Sequence, residues 1–414
     1  MRRIPVLSSL FVCGTLIAAF QTPVASQSPT PPAKRGPEEL LRLSKAAEGP
    51  GLAEPFRGLT AGGEIEKGLF AIKSTGVSTE SVRKAADAFL ASLDESQRTK
   101  TKFAVDDDEW RKWMNQSFYV RQGVSFLEMN AKQRDAAFGL LRAGLSARGL
   151  RTTRDIMRLN HTLGELAGDN FDEYGEWLYH LTVMGAPSAT EPWGWQLDGH
   201  HAIVNYFVLG DQVVMTPLFL GSEPVIAHAG KYKGVTVMQD EQNRGLAFMT
   251  GLDAAQRAKA LLRATKTGND NLTEAWRDNV VFDYAGLRAT EMTKAQRDEL
   301  MKLVDLYVAN MDDGHARVKM SEVQAHLDRT WFAWIGKAEP GSVFYYRIHS
   351  PVILVEFDHQ RPAAMRHLVD PNVPNLEHIH TVVRTPNGND YGKDLLRMHY
   401  LQHPHAPGGA QPMQ

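Results

Sequence analysis

The sequence predicts an α+β fold, with a helical N-terminal part packed on a largely antiparallel sheet and further helices inserted. Three observations predict it. Residues 37–168 carry apolar side chains at helical spacing. Residues 176–216 and 331–384 hold short β-rich runs broken by Gly or Pro. Between those two β regions, helical signals return at 253–265, 293–309 and 318–328. Strands in clusters and helices in clusters argue for antiparallel pairing rather than a doubly wound sheet.

The first segment is read as a targeting signal. Arg2 and Arg3 precede an apolar stretch from Ile4 to Phe20, and Val24, Ala25 and Ser26 are small enough for cleavage before Gln27. The apolar run is short for a span of ~20 residues and contains Pro5. Residues 1–26 are therefore expected to be a signal peptide, leaving no transmembrane segment in the mature chain and placing it in the periplasm or outside the cell. The Arg2-Arg3 pair leaves general secretion and twin-arginine export both open. Cleavage removes Cys13, the only cysteine, so neither disulfides nor thiol chemistry are available afterwards. Residues 27–36 form a Pro-rich linker. One large domain is expected over 37–405, helical to 168 and mixed from 169, with a loose tail at 406–414.

Within the helical part, Ser78 opens a segment with Val82, Ala86, Phe89 and Leu93 on one face. Ile156, Leu159, Leu163 and Leu166 form a second stripe, ended by Gly168. One pattern occurs four times, at Asp94/Gln97-Arg98, Asn130/Gln133-Arg134, Asp253/Gln256-Arg257 and Thr293/Gln296-Arg297. A capping side chain with Gln three residues later is the signature of a helix start. The spacings are unequal, which excludes a regular solenoid.

Strand signals begin near Glu176, where Trp177, Tyr179, Leu181 and Val183 alternate with Leu178, His180 and Thr182. A long run covers 193–209, and Gly210-Asp211 then reads as a hairpin turn into 212–216. Short strands follow at 331–335, 343–348, 352–357 and 379–384, and a last helix at 391–401.

The strings WGWQLDGHH (193–201), TPLFLG (216–221), YYRIHSPVILVEF (345–357) and EHIHTVVR (377–384), leading into NDYG (389–392), resemble domain-of-unknown-function family 3500, a bacterial and fungal family. The resemblance covers about residues 40–405. It implies an architecture and carries no reaction, so the chemistry rests on residue types.

The chain has 46 basic and 48 acidic residues, a formal net charge of −2. No global basic field exists to recruit nucleic acid, so a small-molecule substrate or ligand is the expected partner. His378 and His380 share a strand face, because side chains alternate with period 2, and two such imidazoles can share one metal ion. Arg384 lies on that face too. Around 200 the parity separates the histidines. His200 sides with Asp198 and His201 with Asn205, and His200 is the favoured ligand of the two. Arg347, Glu356 and Arg384 are the candidate catalytic groups, and an ion-pair network is the bland reading of them. Trp193 and Trp195 read as core more readily than as a pocket wall.

Three functions fit these residues. The first is an exported metal-dependent enzyme with His378 and His380 as ligands and Glu356 or one of His200 and His201 as the third. Zinc would make it a hydrolase, and copper or iron an oxidase. The second is a metal-free protein binding an anionic small molecule through Arg347, Arg384 and the histidines. The third is a structural secreted domain. Sequences for a nucleophile elbow, a P-loop and an H-E-x-x-H zinc motif are absent.

Overall fold

The computed structural model describes residues 30–31 and 33–403. The expected signal peptide and the tail at 406–414 lie outside the described residues. Among those described, no helix is long and apolar enough to cross a membrane. The elements below belong to one compact unit that begins at Pro31.

The chain opens with helices α1 (Pro37–Gly51), α2 (Glu80–Ser92) and α3 (Glu95–Thr101), then short strands β1 (Lys102–Phe103) and β2 (Val124–Ser125). Helices α4 (Ala131–Gly144) and α5 (Ala147–Leu166) lead into strands β3 (Tyr179–Met184), β4 (Trp193–Gly199), β5 (Ala202–Leu209), β6 (Gln212–Val214) and β7 (Leu218–Ser222). The second half runs α6 (Gln239–Thr250), α7 (Ala254–Ala260), β8 (Leu261–Arg263), β9 (Leu287–Arg288), α8 (Lys294–Val308) and α9 (Asp313–Ala325). Strands β10 (Trp331–Gly336), β11 (Phe344–His349), β12 (Leu354–His359) and β13 (Ile379–Arg384) follow, and α10 (Lys393–Gln402) is the last element among the described residues. The fold is α+β.

All thirteen strands among the described residues join one mixed, mostly antiparallel sheet, ordered β1-β3-β4-β5-β7-β13-β12-β11-β10-β8, with β2, β6 and β9 off this path. One face is apolar. Leu181, Trp195, Val204, Leu220, Val383, Phe357, Tyr346 and Trp334 lie in a core that also takes Phe89, Leu140, Leu159, Phe248 and Leu303 from the helices. The expected core role of Trp195 holds: it is fully buried and stacks on Tyr206 at 5.1 Å. The opposite face is mixed. Ile203, Phe219 and Val382 pack there with Trp113, Tyr391 and Leu395, and between them stand buried polar residues including Gln196, Asp198, Asn205, Arg347, Glu356, Asp358, His380 and Arg384.

All four Gln-Arg motifs start helices with complete capping boxes: α3, α4, α7 and α8. They also pair. Gln133 donates to Gln97 at 2.6 Å, and Gln296 donates to Gln256 at 2.7 Å. The pairing exposes a duplication that unequal spacing hid. The order α2-α3-β1-β2-α4-α5-β3-β4-β5 recurs as α6-α7-β8-β9-α8-α9-β10-β11-β12. In each half the first short strand pairs parallel, and the second antiparallel, with the strand that follows the helices. The two halves meet at the antiparallel β7–β13 pair. Replacing Asp253 by Ala is expected to destabilise the fold by about 1 kcal/mol, read as a lower urea midpoint. An unchanged midpoint would show that this cap is dispensable.

Several elements differ from the sequence reading. The run 193–209 is two strands, broken at His200-His201, where Gly199 pairs with Ala202. The helix expected over 253–265 stops at Ala260, and 261–263 becomes an edge strand. Helix α9 starts at Asp313 rather than 318, because the Asp312 side chain caps the His315 N–H. Helix α6 was missed because its N-cap is Met238, with no side-chain cap to announce it. The Pro-rich stretch is tied down at its end: Arg35 forms an ion pair with buried Glu173.

Candidate metal centre

Three histidines converge. His201 Nε2 lies 3.2 Å from His378 Nε2 and 3.0 Å from His380 Nε2, and the last two are 2.9 Å apart. All three side chains are buried. The sheet brings them together. The His201 carbonyl accepts the Gly221 N–H, and Gly221 stands opposite His380 in the β7–β13 ladder. Gly221 leaves the gap that the rings need, since a Cβ there would come within 3.3 Å of His380 Cδ2 and 2.5 Å of the Ile379 carbonyl. His201 itself sits at φ +63°, the left-handed region that a side chain rarely adopts. Asn, Asp and His are the non-glycine residues that take such a position most readily.

Here the favoured ligand of the sequence reading is corrected. His200 does not join the cluster. Strand parity fails at a turn, and the chain swings His201 inward instead. The His200 ring packs on the His201 ring at 4.0 Å between centroids, and its Nδ1 meets Asn160 Oδ1 at 2.7 Å. Asp198, expected as its carboxylate partner, pairs with Arg121 at 3.0 Å.

The outer nitrogens fix the tautomers. His378 Nδ1 donates to the Arg361 carbonyl at 2.7 Å, and His380 Nδ1 to Glu274 Oε1 at 2.5 Å. A carbonyl can only accept. Glu274 is held ionised, because the His380 and Asn271 contacts outweigh the burial that would raise its pKa. Both Nδ1 atoms therefore carry a proton, and in the neutral form of each ring the Nε2 lone pair points into the cluster. Burial, the leading cause, lowers the pKa of His378 to about 4 and that of His201 well below its ordinary value.

The three expected catalytic residues stand beside this centre rather than in it. Glu356 is completely buried on β12. It accepts the Leu272 and Thr273 N–H groups at 2.8 and 3.0 Å, the Thr273 hydroxyl at 2.5 Å and the Tyr345 hydroxyl at 2.7 Å. Burial pushes its pKa up, against these donors. Arg384 donates to the Thr273 and Ala275 carbonyls at 2.7 and 2.8 Å and pairs with Asp390 at 3.2 Å. Asp358 accepts the Asp270 N–H at 2.7 Å and pairs with Lys266 at 2.9 Å. These groups together clamp the 270–275 loop to the sheet, and that loop carries Glu274. Glu356 and Arg384 are thus positioning residues. Both side chains find these partners within the protein. Arg347 joins neither the clamp nor the centre.

Two residues escaped the sequence reading. Glu274 lies in an irregular polar loop with no periodicity to mark it. Glu223, just past β7, accepts the Ala363, Ala364 and Met365 N–H groups, each at 3.0 Å, and so fixes the segment whose Arg361 carbonyl holds His378. Asn271, part of an N-x-T sequence, is buried and donates to Glu274 at 2.7 Å.

The fold and this site define an α+β protein with a buried three-histidine centre able to bind a metal ion. Residues 75–393 match the model of the family described as protein of unknown function (DUF3500). The match covers most of the chain, which belongs to that family. No curated protein and no solved structure gave a match.

Proposed function

We propose that the protein is an exported metalloprotein that uses His201, His378 and His380 to hold one transition-metal ion, zinc first, for hydrolysis of a small molecule. One observation carries the reading. Two lone pairs with fixed tautomers face each other across 2.9 Å, and a third imidazole nitrogen completes the triangle. Without a cation that arrangement is repulsive. A single proton, whether on His201 or on His380 beside Glu274, relieves only the contacts of the nitrogen that carries it, whereas one shared cation relieves all three.

The donor set favours zinc, as three neutral nitrogens suit it and three protein ligands leave a position open for water. His201, His378 and His380 would hold that ion through their Nε2 atoms. The bound metal would supply an activated water at neutral pH. The chain's own residues do the rest: Glu274 and the Arg361 carbonyl orient the imidazoles, and the apolar and aromatic neighbours, Phe219 among them at 5.0 Å from His380, limit water around them. Copper or iron on the same ligands would make the centre oxidative instead.

Replacing Glu274 by Gln tests the support of the site. It should weaken metal binding by about 10–100-fold while leaving the unfolding midpoint nearly unchanged. Equal affinity in a competition titration would remove Glu274 from the account. Export rests on the basic, apolar, small-residue order of residues 1–26. N-terminal sequencing of secreted material is expected to begin at Gln27, and a start at Met1 would refute cleavage.

A further inference from the structure

We propose a second site, separate from the histidines, in which Arg347 binds the carboxylate or phosphate of a small aromatic anion. Arg347 lies on β11 with only 5% of its surface exposed, and its Nε is fully enclosed without a hydrogen-bond partner. Among the described residues its side chain forms no hydrogen bond and no ion pair. A guanidinium stays charged at any physiological pH, and buried charges are normally paired. The carboxylate that should serve is Glu356, directly opposite in the β11–β12 ladder. Its two oxygens are already taken by Leu272, Thr273 and Tyr345. The 270–275 clamp occupies both oxygens of Glu356, which therefore attracts Arg347 through space but does not accept a hydrogen bond from it.

The surroundings fit an anion with a flat body. The guanidinium lies over the Phe282 ring, 4.8 Å from its centroid. Phe282 also packs against His349 at 4.9 Å, and Tyr284 at 4.5 Å. His349 Nδ1 is a second buried atom with no partner. Burial first, and Arg347 second, lower the pKa of His349 to about 3, so the ring is neutral and can still donate one N–H. Phe282 and Tyr284 are only half-buried, on a segment whose intervening Asp283 faces out. An oxyanion could take the Arg347 fork and the His349 N–H, with its ring beside Phe282 and Tyr284. By strand spacing, the Arg347 and His380 backbones are about 12 Å apart, and the clamp carrying Glu274 lies in between.

Calorimetric titration of phenyl phosphate and of benzoate into the full protein tests this, with benzamide as the neutral control. At least one of the two anions should bind saturably and benzamide should not. Arg347→Met should weaken that binding at least tenfold, and Arg347→Lys by less. His380→Ala should leave it unchanged, which separates this site from any anion held by a metal at the histidines. If Arg347→Met does not fold, Arg347→Lys with His380→Ala decides. The proposal is overturned if neither anion binds, if binding ignores the Arg347 substitutions, or if it vanishes in His380→Ala.

Discussion

Replacing His378 by Ala is expected to abolish stoichiometric metal binding while the protein still folds. The side chain supplies one of three nitrogens, and its loss leaves two ligands, too few to retain a zinc ion against dialysis. The structural cost is limited. One hydrogen bond to the Arg361 carbonyl disappears, and a buried acceptor left without its donor costs about 1–3 kcal/mol. That segment keeps its anchor, because Glu223 still accepts three backbone N–H groups. Metal content should therefore fall from about one equivalent to near zero, with circular dichroism unchanged. A His378→Ala protein that retains full metal would move the site elsewhere. The parallel substitution at His200 should keep the metal, because that ring only packs behind His201.

The second large effect is expected at Glu356. Replacement by Leu leaves two backbone N–H groups and two hydroxyls without their acceptor in a completely buried place. Unsatisfied buried donors cost about 1–3 kcal/mol each, and relaxation makes the sum smaller than the parts, so a loss of roughly 3–5 kcal/mol is expected. The 270–275 loop should loosen with it. Glu274 then no longer meets His380 in a fixed position, and metal affinity should fall by about 10–100-fold although no ligand has been touched. Urea unfolding and a metal competition titration read the two effects separately. Wild-type stability in Glu356→Leu would mean that the clamp is not what holds this loop.

The sequence made the centre half visible, for physical reasons. His378 and His380 could be paired because two residues on one strand obey a strict period. His200 and His201 could not be sorted, because the period ends at a turn and the left-handed backbone at His201 reverses the choice. Glu356 and Arg384 were recognisable as charges in apolar strands that need partners. Tyr345 and Asp390 serve them locally, but their other partners belong to a loop that lies more than 80 residues earlier in the chain, and no local pattern points there. Glu274 and Glu223 sit in irregular segments and carried no signal. The capping boxes were legible because every contact in them is local. The duplication that repeats them was not, since it shows only when the two halves of the sheet are laid side by side.

Metal analysis of the purified protein tests the central claim most directly. The account predicts about one equivalent of a transition metal per chain, zinc before copper or iron, kept through dialysis and lost on His378→Ala. Protein with no bound metal, even after refolding with zinc, copper and iron supplied, would contradict it.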